Sequence, residues 1–177
     1  MELRDKTLGI IGLGRIGKAV CERAQAFGMR VVAADPYPDE LFAAAHHVIF
    51  VSLAELLARS DVVSLHAPAE AIAGPIIGPT ELKKMKPTAL LINTARGQLV
   101  DEAALAEALR QGQLGGAGID AFVNEPPVGS PLLELDNVVL TPHLGGRTLD
   151  CQRRMGEMAI ENCLRPLRGE PPLYQVK

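Results

Sequence analysis

The sequence predicts a doubly wound α/β fold, one parallel β-sheet with helices on both faces, and two observations carry the prediction. Segments that read as strands alternate with segments that read as helices along the whole 177-residue chain. Parallel strands need such crossover helices, which cover both faces of the sheet. The second observation is the run Thr7-Leu8-Gly9-Ile10-Ile11-Gly12-Leu13-Gly14-Arg15-Ile16-Gly17, which reads as a strand, a glycine turn and a helix start. Asp35 follows a second strand, 18 residues after Gly17. Gly12 permits the tight turn, Gly14 leaves the backbone open to a pyrophosphate, and Gly17 lets the helix sit close to the strand. The first amides of that helix lie at its positive end and can hold a diphosphate. A carboxylate at the spacing of Asp35 suits the ribose hydroxyls of NAD. A chance glycine turn would bring neither the flanking strand and helix nor the acid. The fold expected is therefore a Rossmann-type single nucleotide-binding domain over residues 1–168, with an extended tail over 169–177.

Each element has its own signal. Strand one is Leu8 to Ile11, and the helix after it carries Ile16, Ala19, Val20, Ala24 and Phe27 on one face, stopping near Gly28. Strand two is Arg30 to Ala34. A short helix, Glu40 to Ala45, leads to strand three, Val48 to Val51. Ser52-Leu53-Ala54-Glu55 has capping-box spacing and opens a helix through Ala58. Strand four is Val62 to His66, followed by a Pro- and Gly-rich loop to Pro79 and a short helix capped by Thr80 and ending near Met85. Strand five is Ala89 to Asn93, and Asp101 caps a helix through Arg110 with Gly112 beyond it. Strands six and seven are Gly116 to Asp120 and Val138 to Thr141, and the last helix runs from Thr148 to Leu167, with Pro166 at its end.

Composition bounds the function. The chain is 47% hydrophobic and 22% charged with a net charge of −3, ordinary for a globular domain. It carries no basic stripe of the kind that binds nucleic acid. No segment approaches the run of about 20 apolar residues that crosses a membrane, and the charged start Met1-Glu2-Leu3-Arg4-Asp5-Lys6 is no signal peptide. The cysteines, Cys21, Cys151 and Cys163, are odd in number and form no CxxC motif. They read as reduced packing residues of a cytoplasmic protein.

Three polar motifs follow strands five, six and seven: Asn93-Thr94-Ala95-Arg96-Gly97, Asp120-Ala121-Phe122-Val123-Asn124-Glu125-Pro126 and Pro142-His143-Leu144-Gly145-Gly146. Singly, Arg96 reads as a surface cation, Glu125 as a loop carboxylate and His143 as a satisfied histidine. At the carboxyl edge of an open parallel sheet, where ligands bind, the set supplies a carboxylate-binding cation, an acid–base imidazole and a carboxylate to orient it.

These motifs, with Asp61-Val62-Val63-Ser64-Leu65-His66-Ala67-Pro68, Val100-Asp101-Glu102, Gly118-Ile119-Asp120-Ala121-Phe122 and Thr141-Pro142-His143-Leu144-Gly145-Gly146-Arg147-Thr148, make the chain resemble the NAD-binding domain of the D-isomer-specific 2-hydroxyacid dehydrogenases. The phosphoglycerate dehydrogenase branch is the nearest in pattern, with glyoxylate/hydroxypyruvate reductases beside it. The resemblance implies that His143 protonates a keto oxygen, that Glu125 supports the imidazole, and that Arg96 binds and polarises the 2-oxo acid. It implies further that Arg15 and Ile16 lie at the pyrophosphate and Asp35 at the ribose. Ala67, Thr94, Ala95 and Arg96 would line the cofactor cleft, with Asp120, His143 and Gly146 near the nicotinamide. Hydride passes to or from NAD directly, so no metal is implied. Pairing of two copies through this domain is implied as well.

Two departures qualify the resemblance. Ala67 and the stretch Ala69 to Gly74 stand where the family carries Thr-rich residues, and the chain spans only the nucleotide domain, so the substrate domain is expected to be absent. Two other readings compete. A formate dehydrogenase would place Gln where Glu125 stands. An NAD-sensing corepressor-like protein would bind peptides through the second domain.

Overall fold

The computed structural model describes residues 2–69 and 74–175. Most of the Ala69–Gly74 departure therefore lies outside the described residues. The chain divides into two compact units, 1–142 and 143–177. The first holds a seven-stranded, wholly parallel sheet: β1 Thr7–Ile11, β2 Arg30–Ala34, β3 Ile49–Phe50, β4 Val62–Leu65, β5 Leu90–Asn93, β6 Gly116–Ile119 and β7 Val138–Leu140. Their order is β3-β2-β1-β4-β5-β6-β7. The chain winds outward from β1 in one direction, then returns to β4 and winds outward in the other. This is the doubly wound order, and the strand order reverses between β1 and β4.

The sheet sits between two apolar layers. Successive side chains of a strand face opposite sides. Ile10, Val31 and Ala33 accordingly join Cys21 and Ala24 in one layer. Ile11, Val32 and Leu65 join Leu56, Leu91, Leu105 and Leu132 in the other. All four residues of β4, at the centre, are buried.

The helices of this unit are α1 Arg15–Ala26, α2 Glu40–Ala45, α3 Leu53–Arg59, α4 Pro79–Leu82 and α5 Glu102–Arg110. Ser52 caps α3 by accepting from the Glu55 N–H at 3.2 Å, and Asp101 caps α5 by accepting from the Ala104 N–H at 3.0 Å. Glu55 does not complete a capping box; its carboxylate takes Arg59 at 2.8 Å. Thr80 is not a cap. Gly78 holds that position, because Pro79 follows at the first helical residue, where its fixed φ suits the helix and its missing N–H costs nothing.

The apolar face of α1 also differs from expectation. Gly17, Cys21 and Ala24 form the buried stripe, while Ile16 and Phe27 are 67% and 65% exposed. Burial raises the Cys21 thiol to about 11, with the Glu22 carboxylate adding to the effect. Cys163, in contrast, is exposed and packs nothing.

The second unit contains α6, Leu149–Leu167, capped by Thr148, whose hydroxyl accepts from the Cys151 N–H at 3.2 Å. Residues 169–175 turn back along this helix: Asn162 exchanges two hydrogen bonds with the Tyr174 backbone, each 3.0 Å, and Arg165 Nε donates to the Pro171 carbonyl at 2.8 Å. Among the described residues, no helix is long and apolar enough to cross a membrane.

Candidate active site at the sheet's switch point

The glycine turn between β1 and α1 is shaped by contacts that only glycine tolerates. Gly12 has φ +92°, and a Cβ there would lie 2.8 Å from both the Ala67 nitrogen and the His66 carbonyl carbon. A Cβ on Gly17 would lie 2.3 Å from the Gly12 carbonyl oxygen. Gly14 differs from both, since a Cβ there would meet nothing within 4 Å. That open position faces solvent at the start of α1, where the first intrahelical bond runs from Lys18 N–H to Gly14 O. The amides of Arg15, Ile16 and Gly17 precede it and have no acceptor within the helix. No acidic side chain occupies the first turn. An oxyanion group fits this cradle, and a diphosphate is its natural occupant.

Asp35 stands just past β2 and braces the turn. Its Oδ2 accepts from the Leu13 N–H at 2.7 Å and its Oδ1 from the Tyr37 N–H at 2.8 Å. Each carboxylate oxygen has a second lone pair, so both can also accept a hydroxyl. Glycine turn and Asp35 are thus one hydrogen-bonded assembly.

A cleft of about 250 Å³ opens beside the turn, where the strand order reverses. Ile16, His66, Ala67, Pro68, Thr94, Ala95 and Arg96 line it. Five of these, Ile16, Ala67, Thr94, Ala95 and Arg96, are sequence-derived cofactor residues. Ile16 is exposed because it serves the cleft instead of the core.

His66 and Pro68 were seen only as part of a motif. β4 ends at Leu65, one residue earlier than the apolar pattern suggests, which releases His66 to the crest. His66 Nε2 is 2.9 Å from Ser64 Oγ, and burial lowers its pKa below the ordinary imidazole value. It is therefore neutral at pH 7, and its ring offers the cleft a flat, uncharged wall.

Asn93 is read in the sequence only as the first residue of the motif after strand five, with no role of its own. It is 1% exposed, its Oδ1 accepts from the Ala95 N–H at 3.1 Å, and its Nδ2 donates to the Arg96 carbonyl at 2.8 Å. This side chain ties the Thr94-Ala95-Arg96 turn to the end of β5. Arg96 is exposed, donates to the Ala95 carbonyl at 2.9 Å, and pairs with no carboxylate among the described residues. Its charge is available to a ligand.

Asp120 and Glu125 lie further along the same edge. β6 ends at Ile119, so Asp120 begins the crest; it is 6% exposed and its Oδ1 accepts from the Thr141 hydroxyl at 2.6 Å. Glu125 Oε1 accepts from the Phe122 N–H at 3.1 Å. His143 and Gly146 belong to the second unit. His143 has φ +53°, in the left-handed region, and a Cβ on Gly146 would meet nothing within 4 Å. Among the described residues, no group of three or more His, Cys, Asp or Glu could hold a metal ion.

Comparison with known proteins agrees with this geometry. The family of D-isomer specific 2-hydroxyacid dehydrogenase NAD binding domains matches residues 1–145. A glyoxylate reductase of Korarchaeum cryptofilum is 47% identical over 172 residues, covering 97% of this chain and 52% of that protein. A D-3-phosphoglycerate dehydrogenase of Methanocaldococcus jannaschii is 44% identical over 171 residues, covering 96% of this chain and 33% of that protein. The crystal structure of D-lactate dehydrogenase with NAD+ from Lactobacillus jensenii superposes with a TM-score of 0.90 at 31% identity, covering all of this chain and 57% of that one. The chain belongs to the D-isomer-specific 2-hydroxyacid dehydrogenase family as an NAD-binding domain of it. It spans about half the length of the glyoxylate reductase.

Proposed function

We propose that this domain serves an NAD-dependent dehydrogenase that interconverts a D-2-hydroxy acid and its 2-oxo acid, of the phosphoglycerate dehydrogenase kind. The carrying observation is the switch-point cleft, where an unpaired Arg96 lies beside an open glycine turn. When bound, the nicotinamide supplies or accepts the hydride. The amides of Arg15 to Gly17 hold the diphosphate and Asp35 holds the ribose. Arg96 binds the substrate carboxylate and stabilises charge growing on the carbonyl oxygen. His143 gives that oxygen its proton in reduction and removes it in oxidation. Glu125 would support the imidazole in that transfer. By the same resemblance, Asp120 and Gly146 would serve the nicotinamide when it is bound.

A glyoxylate or hydroxypyruvate reductase is the second reading, favoured by the 47% identity to the glyoxylate reductase. On either reading, this chain alone binds NAD yet turns over slowly. It provides one wall of the substrate cleft, and without the other the polar groups act in water, where they are weaker. Loss of positioning alone can cost about 7–11 kcal/mol of barrier lowering.

The test follows NADH absorbance with hydroxypyruvate and glyoxylate, and NAD reduction with 3-phosphoglycerate. It compares the 177-residue chain with a two-domain protein carrying it. Turnover only by the two-domain protein, abolished by His143→Ala with NAD affinity retained, supports the reading. Equal turnover by both proteins refutes the one-wall account, and full activity in His143→Ala refutes the histidine's role.

A further inference from the structure

We infer that Glu102 is a positioning residue that clamps the loop carrying Glu125, an assignment that rests on the role proposed for Glu125 above. Glu102 opens α5 but does not cap it, because Asp101 already does. Its carboxylate instead spans to the segment after β6. Oε1 accepts from the Val123 N–H at 2.8 Å, and Oε2 accepts from the Ser130 hydroxyl at 2.9 Å. The two bonds grip the loop on either side of Glu125. Ser130 Oγ in turn accepts from the Leu132 N–H at 3.4 Å, at the turn Pro131–Glu134.

The grip falls on a peptide already pinned from its other side. A Cβ on Gly97 would lie 2.0 Å from the Phe122 carbonyl carbon and 2.2 Å from the Val123 nitrogen. The backbone that follows Arg96 therefore rests directly on the Phe122–Val123 peptide. Two successive amides of this turn serve two carboxylates: Phe122 N–H donates to Glu125, and Val123 N–H donates to Glu102. Glu102 thus fixes the Phe122–Val123 peptide, next in the chain to the Ala121–Phe122 peptide whose N–H Glu125 holds, and Gly97 seats that fixed peptide against the Arg96 turn.

Nuclear magnetic resonance on the 177-residue chain tests the clamp, comparing wild type with E102A, E102Q and E125Q. In E102A, amide exchange at Val123 and Phe122 should quicken by about tenfold or more, the effect of losing one charge-assisted hydrogen bond. E102Q should stay near wild type, because its amide oxygen can take the Val123 N–H while its NH₂ donates to Ser130 Oγ. Wild-type exchange at Phe122 in E102A overturns the clamp. Turnover by a two-domain protein carrying this domain adds a readout that loss of packing alone would not move, the split between kcat and the KM for NAD. E125Q should lower kcat with that KM kept, E102A should lower kcat by less, and E102Q should leave it near wild type. The E102A/E125Q pair should go no lower than E125Q. A lower kcat in E125Q with none in E102A overturns the clamp and leaves Glu125's role intact. An unchanged kcat in E125Q overturns Glu125's role, and exchange alone then decides the clamp. If E102A fails to fold, S130A removes one arm of the grip and should quicken Val123 exchange by a smaller factor; unchanged exchange there also overturns the clamp.

Discussion

At the scale of single residues, two glycines of one turn carry opposite obligations. A Cβ on Gly17 would meet backbone, and one on Gly14 would meet nothing within 4 Å. Gly17→Ala should destabilise the domain by about 1–3 kcal/mol through overpacking against the Gly12 carbonyl. Gly14→Ala should unfold at the wild-type urea concentration, yet bind NAD about tenfold or more weakly, because the new methyl enters the diphosphate's place. Urea titration and calorimetry on both variants check this; normal NAD binding by Gly14→Ala would remove that glycine from the site. Asp35 makes a second prediction. Its carboxylate is held by the Leu13 and Tyr37 amides, and Pro36-Tyr37 brings no cation beside it. A 2′-phosphate would meet an uncompensated negative charge. NAD should bind more tightly than NADP, and Asp35→Ser should weaken NAD while narrowing the gap. Calorimetry with both dinucleotides decides, and equal affinities in wild type would contradict the assignment.

At the scale of elements, Asp61 joins three strands at the sheet edge opposite the cleft. Its Oδ2 accepts from Thr7 N–H at 2.8 Å, its Oδ1 takes Lys86 at 2.9 Å, and its backbone carbonyl accepts from Leu90 N–H at 3.0 Å. Burial opposes its charge, but the Lys86 ammonium and the Thr7 amide outweigh it and hold the carboxyl below the usual range. The unfolded chain therefore takes up this proton first. The stabilisation is complete above a pH of about 4 and disappears as pH falls through the lowered folded value. Asp61→Asn should cost about 1–3 kcal/mol at pH 7, and its deficit against wild type should shrink at pH 3. Urea midpoints at the two pH values measure this; an unchanged deficit would show that the charge is irrelevant.

Elements also show what a sequence can and cannot convey. The caps at Ser52 and Asp101 were legible because a cap needs only a side chain and an amide three residues on, whereas Thr80 was misread because Pro79 hands that position to Gly78. Strand ends were overrun by one residue at His66, Asp120 and Thr141, whose N–H groups still donate across the sheet to Ile11, Asn93 and Ile119 just past the strand ends. α1 was misread at Ile16, because an apolar residue lining a cleft looks like one serving the core, and at Phe27, which follows the last turn and is exposed. The glycine turn, Asp35 and Arg96 were readable from motif and spacing. Asn93 and Glu102 were not readable as site-building residues, because their importance lies in partners that only the folded loops bring near.

At the scale of the whole molecule, the centre of the sheet is covered on both faces, while Ile49 on β3 and Val139 on β7 are 54% and 69% exposed at its two edges. The resemblance to a family that pairs through this domain leads to an expected homodimer, with a mass near twice 18.9 kDa by light scattering. A strict monomer at high concentration would contradict it. The contact between Gly12 and the His66–Ala67 peptide has a consequence of its own. There main chain rests on main chain, with no side chain between. The mouth of the cleft is thus gauged by two backbones, as a calliper is by its jaws, and exchanging Ala67 or Thr94 would re-line it without altering its gape. Chemical specificity in such a domain can drift from residue to residue while the span offered to the dinucleotide stays constant.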